Sequence, residues 1–316
     1  MTEKIIMGID TSNYTTSVAL MYSDGELIAN IKRPLEVKPG ERGLRQSDAV
    51  FSHIKNLPLA MKEAREYLCG RGVDAIGVST RPRNIEGSYM PCFLTGVASA
   101  EGISASFNLP IYRFSHQCGH IMSALYSSGA EELLNGKFGA FHISGGTTEL
   151  LLAKRVDGGF SCELVGGTCD LNAGQAIDRV GVSLGLPFPS GMHLEKLALD
   201  YNGKIKHRKP SVRGMHMNLS GLENMSKNLY SDTNDKEAVA AFVFDYIGES
   251  VIAACECFLQ KYGDLPIVFA GGVMCNSIIK SMLSKRFNCY FASPMLSADN
   301  AVGIAELTRL SYIGSK

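Results

Sequence analysis

The chain has 316 residues, of which 45% are hydrophobic and 20% charged, and its 31 lysines and arginines balance its 31 aspartates and glutamates. This length is enough for two domains with separate cores, and the composition is that of an ordinary globular enzyme. A neutral chain lacks the broad positive field of proteins that bind nucleic acid unaided. An RNA substrate would therefore need a local basic segment or a partner protein.

The cysteines indicate a reducing compartment. There are nine of them, scattered and without a CxxC pair, which is typical of free thiols. The chain shows no signal-peptide pattern, and we expect no membrane-spanning helix. We therefore expect a cytoplasmic protein with no membrane partner.

The first part of the chain predicts an α/β domain that opens with a hairpin. IIMGID is a buried strand, TTSVALMYS alternates as a second strand and LIANIKRP is a third. A helix is predicted over Asp48–Tyr67, with an apolar stripe of Val50, Ile54, Leu57 and Ala60. A strand at AIGVST, a helix at TGVASAEGISASF and a short strand at PIYRF follow.

The opening pattern then recurs. IMGIDTSNYTTSVALM and AFHISGGTTELLLAK both run a strand into a polar turn and out into a second strand, about one domain length apart. Two unrelated hairpins would be the simpler explanation. The repeat favours the duplicated actin/Hsp70/sugar-kinase (ASKHA) fold, an α/β architecture whose two turns hold nucleotide phosphates in an interdomain cleft. We predict domains at residues 1–115, with helix 299–316 packing back on it, and at 116–298.

The second domain is predicted to be mostly helical around a few strands. Strands are predicted at LPIVFAGG and CYFASP, and HRKPSVRG is a basic loop. Helices are predicted at Leu171–Leu184, HLEKLALDY, Asp235–Leu259, NSIIKSML and Asp299–Tyr312.

Residues 116–120 read HQCGH. On a helix, His116 and His120 lie on one face within reach of one metal ion, but a site needs a third ligand. A pair of surface histidines is the simpler alternative. Cys118 is predicted to point away from this face, which disfavours a Cys–His nucleophile. Gln117 stands where a zinc protease has its glutamate base, so peptidase chemistry is not expected.

Other segments offer polar groups or glycines that suit a nucleotide. They contain SGGTTEL, the stretch from NAGQAIDRV to HLEKLAL, and FAGGVMCN. Each also has an ordinary interpretation as a hairpin turn, a solvated helix face or a strand–helix turn. The candidate nucleotide-binding residues are Ser144, Gly145, Gly146, Asp178, Gly191, Glu195 and Asn276. Asp299, in SADNAVGIAEL, is either a helix N-cap or the third metal ligand.

Taken in order, these segments resemble the TsaD/Gcp family of tRNA N6-adenosine threonylcarbamoyltransferases. GIDTSNYTTSVAL resembles the family's G-I-E-T-S-C-D-E-T-x-x-A, HQCGH its H-x-x-G-H, and SGGTTEL its S-G-G-H-T-E-L. AGQAIDRV resembles A-G-E-A-F-D-K-V. GLPFPSGMHLEKLA, NLSGLEN, AGGVMCN and SADNAVGIA resemble further family motifs, so the resemblance covers almost the whole chain.

The resemblance implies an ASKHA fold and Fe or Zn held by His116, His120 and Asp299. It implies that the nucleotide-binding residues named above contact ATP or an acyl-adenylate, with Mg. The implied reaction transfers threonylcarbamoyl from an adenylate to N6 of a tRNA adenosine, by metal polarisation and positioning. Partner proteins, including one like TsaB, would assist. Asp10 keeps an acid where the family has glutamate, and we predict it as the catalytic carboxylate.

The departures from the family pattern fall on the acceptor side. RPRNIEG replaces the family's glycine-rich G-P-G-L loop, and GERGLRQSDAVFSH replaces A-S-R-x-H. The pattern favours a paralogue that keeps the donor chemistry with another acceptor. The alternatives are a noncatalytic nucleotide-binding scaffold subunit of a tRNA-modification complex and an ATP-dependent small-molecule kinase. The departing residues are Tyr14, Thr15, Arg81, Arg83, Thr147 and Gln175.

Overall fold

The computed structural model describes residues 3–12, 14–36, 44–156 and 158–314. The chain forms two compact units. Unit 1 comprises Met1–Gly136, Lys154–Cys162 and Met295–Lys316, and unit 2 comprises Lys137–Ala153 and Glu163–Pro294. Part of the GERGLRQSDAVFSH segment, residues 40–43, lies outside the described residues.

The first part of unit 1 contains β1 (Ile5–Ser12), β2 (Thr15–Tyr22), β3 (Leu27–Pro34), α1 (Gln46–Tyr67), β4 (Ala75–Arg81), α2 (Phe93–Phe107), β5 (Ile111–Ser115) and α3 (His116–Ser128). The five strands form one sheet in the order β3-β2-β1-β4-β5. β1, β2 and β3 pair antiparallel, whereas β4 and β5 extend the sheet parallel to β1. The carboxyl ends of β1, β4 and β5 therefore share one edge, where loops of parallel sheets present functional groups.

The remaining elements follow in chain order. They are a 3-10 helix (Glu131–Asn135), β6 (Lys137–Ile143), β7 (Thr148–Val156), β8 (Gly159–Thr168), α4 (Ala173–Ser183), α5 (Gly191–Asp200), β9 (Val212–Arg213), β10 (His216–Met217), α6 (Gly221–Thr233), α7 (Lys236–Tyr262), β11 (Ile267–Ala270), a 3-10 helix (Gly272–Cys275), α8 (Ser277–Ser284), β12 (Cys289–Phe291), α9 (Pro294–Ser297) and α10 (Val302–Gly314).

The second sheet repeats the strand order of the first. It runs β12-β11-β6-β7-β8-β10-β9, so that β8-β7-β6-β11-β12 corresponds to β3-β2-β1-β4-β5. β11 is parallel to both β6 and β12, as β4 is to β1 and β5. The repeated hairpin read from the sequence is therefore one part of a duplicated five-strand pattern.

Helix α7 forms the centre of the unit 2 core. It is long and apolar enough by composition to cross a membrane, contrary to our expectation that no segment would be. In the structure 83% of its most apolar window is buried. Burial on nearly all sides is the property of a core helix, and an all-round apolar surface is what such a position requires.

Helix α1 buries only part of the predicted stripe, namely Leu57 and Ala60. Ala49, His53 and Leu57 are buried, whereas Ile54 is 56% exposed. The cause is a polar contact: His53 Nδ1 lies 2.8 Å from Thr16 Oγ1 on β2. A histidine that has a hydrogen-bond partner can take a buried position, so the buried face of the helix includes a polar residue that the apolar pattern does not predict.

The unit boundary also differs from the predicted one at residue 115. Helix α3 belongs to unit 1, together with α10. The two helices approach closely because both carry glycine at the crossing: a Cβ atom on Gly303 would lie 1.9 Å from Gly119 O. Helix α3, which carries His116 and His120, and the C-terminal helix α10 therefore pack against each other within unit 1.

Candidate metal centre and nucleotide segments

The start of α3 fixes the position of His116. Ser115 ends β5 and its side chain accepts a hydrogen bond from Cys118 N at 3.2 Å, which caps the helix. His116 is therefore the first helical residue at the carboxyl edge of the parallel strands. His120 follows one turn later on the same face.

Three side-chain atoms converge at this edge. His116 Nε2 lies 3.0 Å from His120 Nε2, and His120 Nε2 lies 3.2 Å from Asp299 Oδ1. His116 Nε2 and Asp299 Oδ1 are 3.6 Å apart. Donor atoms bound about 2.0–2.1 Å from one metal lie about 3.0–3.4 Å from each other in octahedral or tetrahedral geometry. Two of the three distances lie in this range and the third, at 3.6 Å, is slightly longer, so the three atoms could hold a single metal ion as a two-histidine, one-carboxylate set.

Asp10 lies behind this set rather than in it. It sits within β1 opposite Ser17. Its Oδ2 lies 2.8 Å from His116 Nδ1, and its Oδ1 accepts the Ser12 N–H at 2.8 Å. A His116 that donates Nδ1–H to Asp10 presents Nε2 to the other donors, which is the arrangement typical of metal-binding histidines.

The charges of this cluster are strongly coupled. Burial alone would lower the pKa of His116, but the carboxylates of Asp10 and Asp299 outweigh it and raise the pKa to about 10. Burial alone would raise the pKa of Asp10, yet His116 and Ser12 hold it below its usual value. Against the same effect of burial, the two histidines hold the pKa of Asp299 well below normal. Without metal, a proton on His116 therefore balances the buried carboxylates.

A buried polar network holds the loop that carries Asp299. Asn300 donates from Nδ2 to Leu296 O and Ala298 O, both at 2.8 Å. Its Oδ1 accepts from Val302 N at 2.9 Å and from Ser123 Oγ at 3.0 Å. Because Ser123 lies on α3, this network ties the Asp299 loop to the helix of the two histidines.

Cys118 faces away from the donor atoms, as the helical spacing predicts. It is buried, and its interaction with the Cys162 thiol is the largest cause that lowers its pKa; Ser115 and the charge of Arg81 act in the same direction. The same interaction, together with burial, raises the pKa of the Cys162 thiol well above normal.

In unit 2 the Ser144–Gly146 turn joins β6 to β7. Ser144 N donates to Thr147 O at 2.8 Å, and a Cβ atom on Gly145 or Gly146 would meet no atom within 4 Å. Gly174 in the first turn of α4 packs so closely that its own Cβ would lie 2.6 Å from Gly145 Cα. The turn thus lies against a helix N-terminus, an arrangement that suits a phosphate group.

The acidic candidates of unit 2 brace helix ends. Asp178 Oδ1 accepts the Ser190 N–H at 2.7 Å, next to Gly191 at the start of α5. Burial raises the pKa of Asp178 against the opposing effect of that N–H group. Glu195 Oε1 accepts from both the N–H and the hydroxyl of Ser277, at 2.7 and 2.6 Å.

Asn276 caps helix α8. It is buried, and its Oδ1 accepts the Ile279 N–H at 3.0 Å. Glu195 holds the next residue, so α5 and the start of α8 are linked at this point. The unit 2 candidates thus form a connected series from the SGG turn through α4 and α5 to α8.

Sequence reasoning missed three polar residues of unit 1. Ser123 and Asn300 hold the Asp299 loop, and buried His53 bonds Thr16. Burial lowers the pKa of His53. Asn300 directly follows Asp299 before a helix, which is a capping signal in the sequence. Ser123 and His53 are each brought into contact with a residue distant in the chain, and no local pattern marks them.

A family model described as tRNA N6-adenosine threonylcarbamoyltransferase (TsaD) matches residues 27–306. Curated proteins of that name are similar along the chain. The one from Thermosipho africanus is 29% identical and the match covers 95% of this chain and 92% of the relative. The one from Bacillus licheniformis is 26% identical, with 97% and 92% covered.

Solved structures share the fold. Full-length HypF has a TM-score of 0.62 at 12% identity, covering 99% of this chain and 47% of HypF. Component A of (R)-2-hydroxyglutaryl-CoA dehydratase from Acidaminococcus fermentans has a TM-score of 0.60 at 16% identity, covering 99% and 100%. A ROK family glucokinase from Streptomyces griseus has a TM-score of 0.54 at 12% identity, covering 96% and 99%. With the two sheets described above, these similarities confirm the predicted ASKHA-type α/β fold.

Proposed function

This chain belongs to the TsaD family of tRNA N6-adenosine threonylcarbamoyltransferases, and on that premise we propose a metal-dependent transferase that takes threonylcarbamoyl from an adenylate donor. The convergence of His116, His120 and Asp299 carries the proposal, because their donor atoms lie 3.0–3.6 Å apart. A degenerate scaffold has no need to keep three ligands, one of them 179 positions away from its neighbour in space.

His116, His120 and Asp299 would hold Fe or Zn, which supplies a Lewis acid when bound and polarises the carbonyl of the donor. Asp10 would orient His116 by accepting its Nδ1–H, which makes it a positioning residue rather than a group that touches substrate. Peptidase chemistry is not supported, because Gln117 stands in the place of the required general base and cannot accept a proton usefully.

The SGG turn and the α4 N-terminus would hold donor phosphates through backbone N–H groups. Asp178 and Glu195 each brace a helix end and are the candidate acceptors for hydroxyl groups of a nucleoside. Gly191 and Asn276 would contact the same nucleotide. ATP or the adenylate, with Mg, is the ligand class that we assign to unit 2.

The acceptor would be tRNA held by an exposed basic segment and, we expect, by partner proteins in the cytoplasm. Residues 204–213 read KIKHRKPSVR, with no acidic residue, in a chain that is neutral overall. The positive side chains of this segment are exposed. They supply the local positive charge that phosphates require.

A second acceptor class is favoured by one specific difference from the family. Tyr14 and Thr15 replace its acidic pair, and Tyr14 is 41% exposed. Two neutral side chains alter the charge presented to an acceptor while the donor-side residues stay. A paralogue that transfers the same group to another nucleophile is the alternative consistent with this change.

Mass spectrometry of tRNA nucleosides from a deletion strain tests the acceptor. We expect threonylcarbamoyladenosine to fall in the deletion strain, to return with the wild-type gene and not to return with His120→Ala. An unchanged level in a strain without any other family member would contradict tRNA as the acceptor. Recovery with His120→Ala would contradict the metal role.

A further inference from the structure

Arg81 lies at the same sheet edge as the candidate metal ligands. It ends β4, where the pairing with β5 shifts from Ser79↔Phe114 to Arg81↔Ser115. This shift leaves Thr80 as an extra residue, and such bulges re-aim side chains next to functional sites. Ser115 directly precedes His116, so the Arg81 backbone lies about one inter-strand spacing, about 4.8 Å, from the residue that precedes α3.

The loop after Arg81 is fastened to that helix. Gln117 N donates to Pro82 O at 3.0 Å, and Arg83 N donates to Ser88 Oγ at 3.0 Å. The position of Arg81 is therefore set by hydrogen bonds on both its strand and its loop side. The RPRNIEG segment, which departs from the family pattern, is thus held in place by hydrogen bonds at the carboxyl edge of the sheet.

Among the described residues, the Arg81 guanidinium donates hydrogen bonds only to neutral oxygens, and its charge also lowers the pKa of the Cys118 thiol. Nη2 donates to Asn84 Oδ1 at 2.7 Å and Nη1 to Thr80 Oγ1 at 3.4 Å, and no described carboxylate forms an ion pair with it. The side chain is half-buried. A partly desolvated guanidinium with donors left over is suited to a carboxylate or phosphate ligand, which it can bind through two parallel hydrogen bonds.

We propose that Arg81 binds the carboxylate of the group that this protein transfers. The inference rests on the proposed function, in which that group is an amino acid carrying a free carboxylate. At the same sheet edge, the carboxylates of Asp10 and Asp299 would balance the two charges of a bound Zn²⁺, which leaves no net positive charge for a third carboxylate. The Arg81 cation would supply that charge and orient the group, whereas the phosphates have their own candidate turn in unit 2.

The test compares two probes that differ only in this charge: N-carbamoyl-threonine and its carboxamide. Binding to the zinc-loaded protein is followed by calorimetry or ligand-observed NMR. We expect the wild type to prefer the acid by about 10-fold or more, as charge-assisted hydrogen bonds do. Arg81→Gln should bind both probes equally. Arg81→Lys should keep part of the preference, since it keeps the charge without the planar fork. Arg65→Gln, at an exposed position on α1, is the matched control and should behave as wild type.

An acid preference that survives in Arg81→Gln would overturn the proposal, as would a wild-type protein that binds the acid no better than the amide. Weaker AMP binding by Arg81→Gln, with the acid preference intact, would assign Arg81 to phosphate instead and would also overturn it. The outcome is independent of the tRNA assay. An Arg81-dependent acid preference in a protein that leaves tRNA unmodified would support this inference while contradicting tRNA as the acceptor.

Discussion

The candidate metal centre of unit 1 and the candidate nucleotide segments of unit 2 use their polar groups in opposite ways. In unit 1, His116, His120 and Asp299 turn their donor atoms toward one point, and a second carboxylate from Asp10 stands behind them. In unit 2, Asp178 and Glu195 are each hydrogen-bonded to a helix end. The first group brings two carboxylates and two imidazoles together, whereas each carboxylate of the second group is hydrogen-bonded to a backbone N–H group of the protein.

This difference separates two kinds of design. Carboxylates and imidazoles that crowd together are costly unless a proton or a metal balances them, so the arrangement itself indicates a ligand. Carboxylates that cap helices stabilise the fold whether or not a nucleotide binds. Substitutions in unit 1 should therefore change metal binding most, and substitutions in unit 2 should first change stability.

The largest expected effect is on metal content. His120→Ala should lower the affinity for zinc by at least about 100-fold, because two donors are too few for a stable site. Metal analysis of purified protein after dialysis checks this result. His193→Ala, at an exposed position on α5, is the control and should leave the metal content unchanged. Equal metal content in both variants would contradict a metal site in unit 1.

Acid should weaken metal binding. The pKa of His116 is about 10 in the metal-free protein, so below that pH the Nε2 proton must leave before a metal can bind. Affinity should then rise by about tenfold per pH unit between pH 6.5 and 8.5, as expected for release of one proton. A zinc titration against a chelator of known pH dependence measures the slope. A flat profile would mean that His116 is not a ligand.

Asp10→Asn should have a smaller effect. The amide can still accept Nδ1–H, but it removes the charge that raises the pKa of His116, and loss of such outer partners costs about 10–100-fold in metal affinity. The same chelator titration should show a shallower pH slope than in wild type. A variant that loses all metal would place Asp10 among the ligands rather than behind them.

The smallest effect is expected in unit 2. Glu195→Gln should lower the free energy of unfolding by about 1 kcal/mol, because both hydrogen bonds from Ser277 weaken when the acceptor loses its charge. Urea unfolding checks this change, with Asp264→Asn at an exposed loop position as control. Unchanged stability combined with weaker ADP binding would show that Glu195 binds the nucleotide rather than stabilising the start of α8. The contrast between the two units would then not hold for this residue.

The local parts of both regions were readable from the sequence. Helical spacing predicted that His116 and His120 share one face and that Cys118 points away from it. The two similar hairpins predicted the duplicated fold. The sequence left Asp299 open between a helix N-cap and a third metal ligand, and the resemblance to a family favoured the ligand. No spacing rule reaches a residue 179 positions away in the chain, and that contact depends on how closely α3 and α10 can pack.

The remaining differences arise where tertiary contacts outweigh local pattern. Ile54 fits the apolar stripe of α1, yet the buried residue is His53, because its ring forms a hydrogen bond with Thr16. Strand β8 begins with Gly159 and carries Gly166 and Gly167 just before its last residue, and glycines lower the strand propensity of a segment. Thr11 and Ser12 fit the polar turn predicted after Asp10, but β1 continues to Ser12.

The order in which the donor residues appear along the chain has a consequence during synthesis. Asp10, His116 and His120 are made well before Asp299 and the helix that covers Gly8 and Gly77. A growing chain therefore holds the two histidines without Asp299 until residue 299 has been made. The proposed metal would then bind only after α10 has packed against α3, and chains that stop before Asp299 would remain unmetallated.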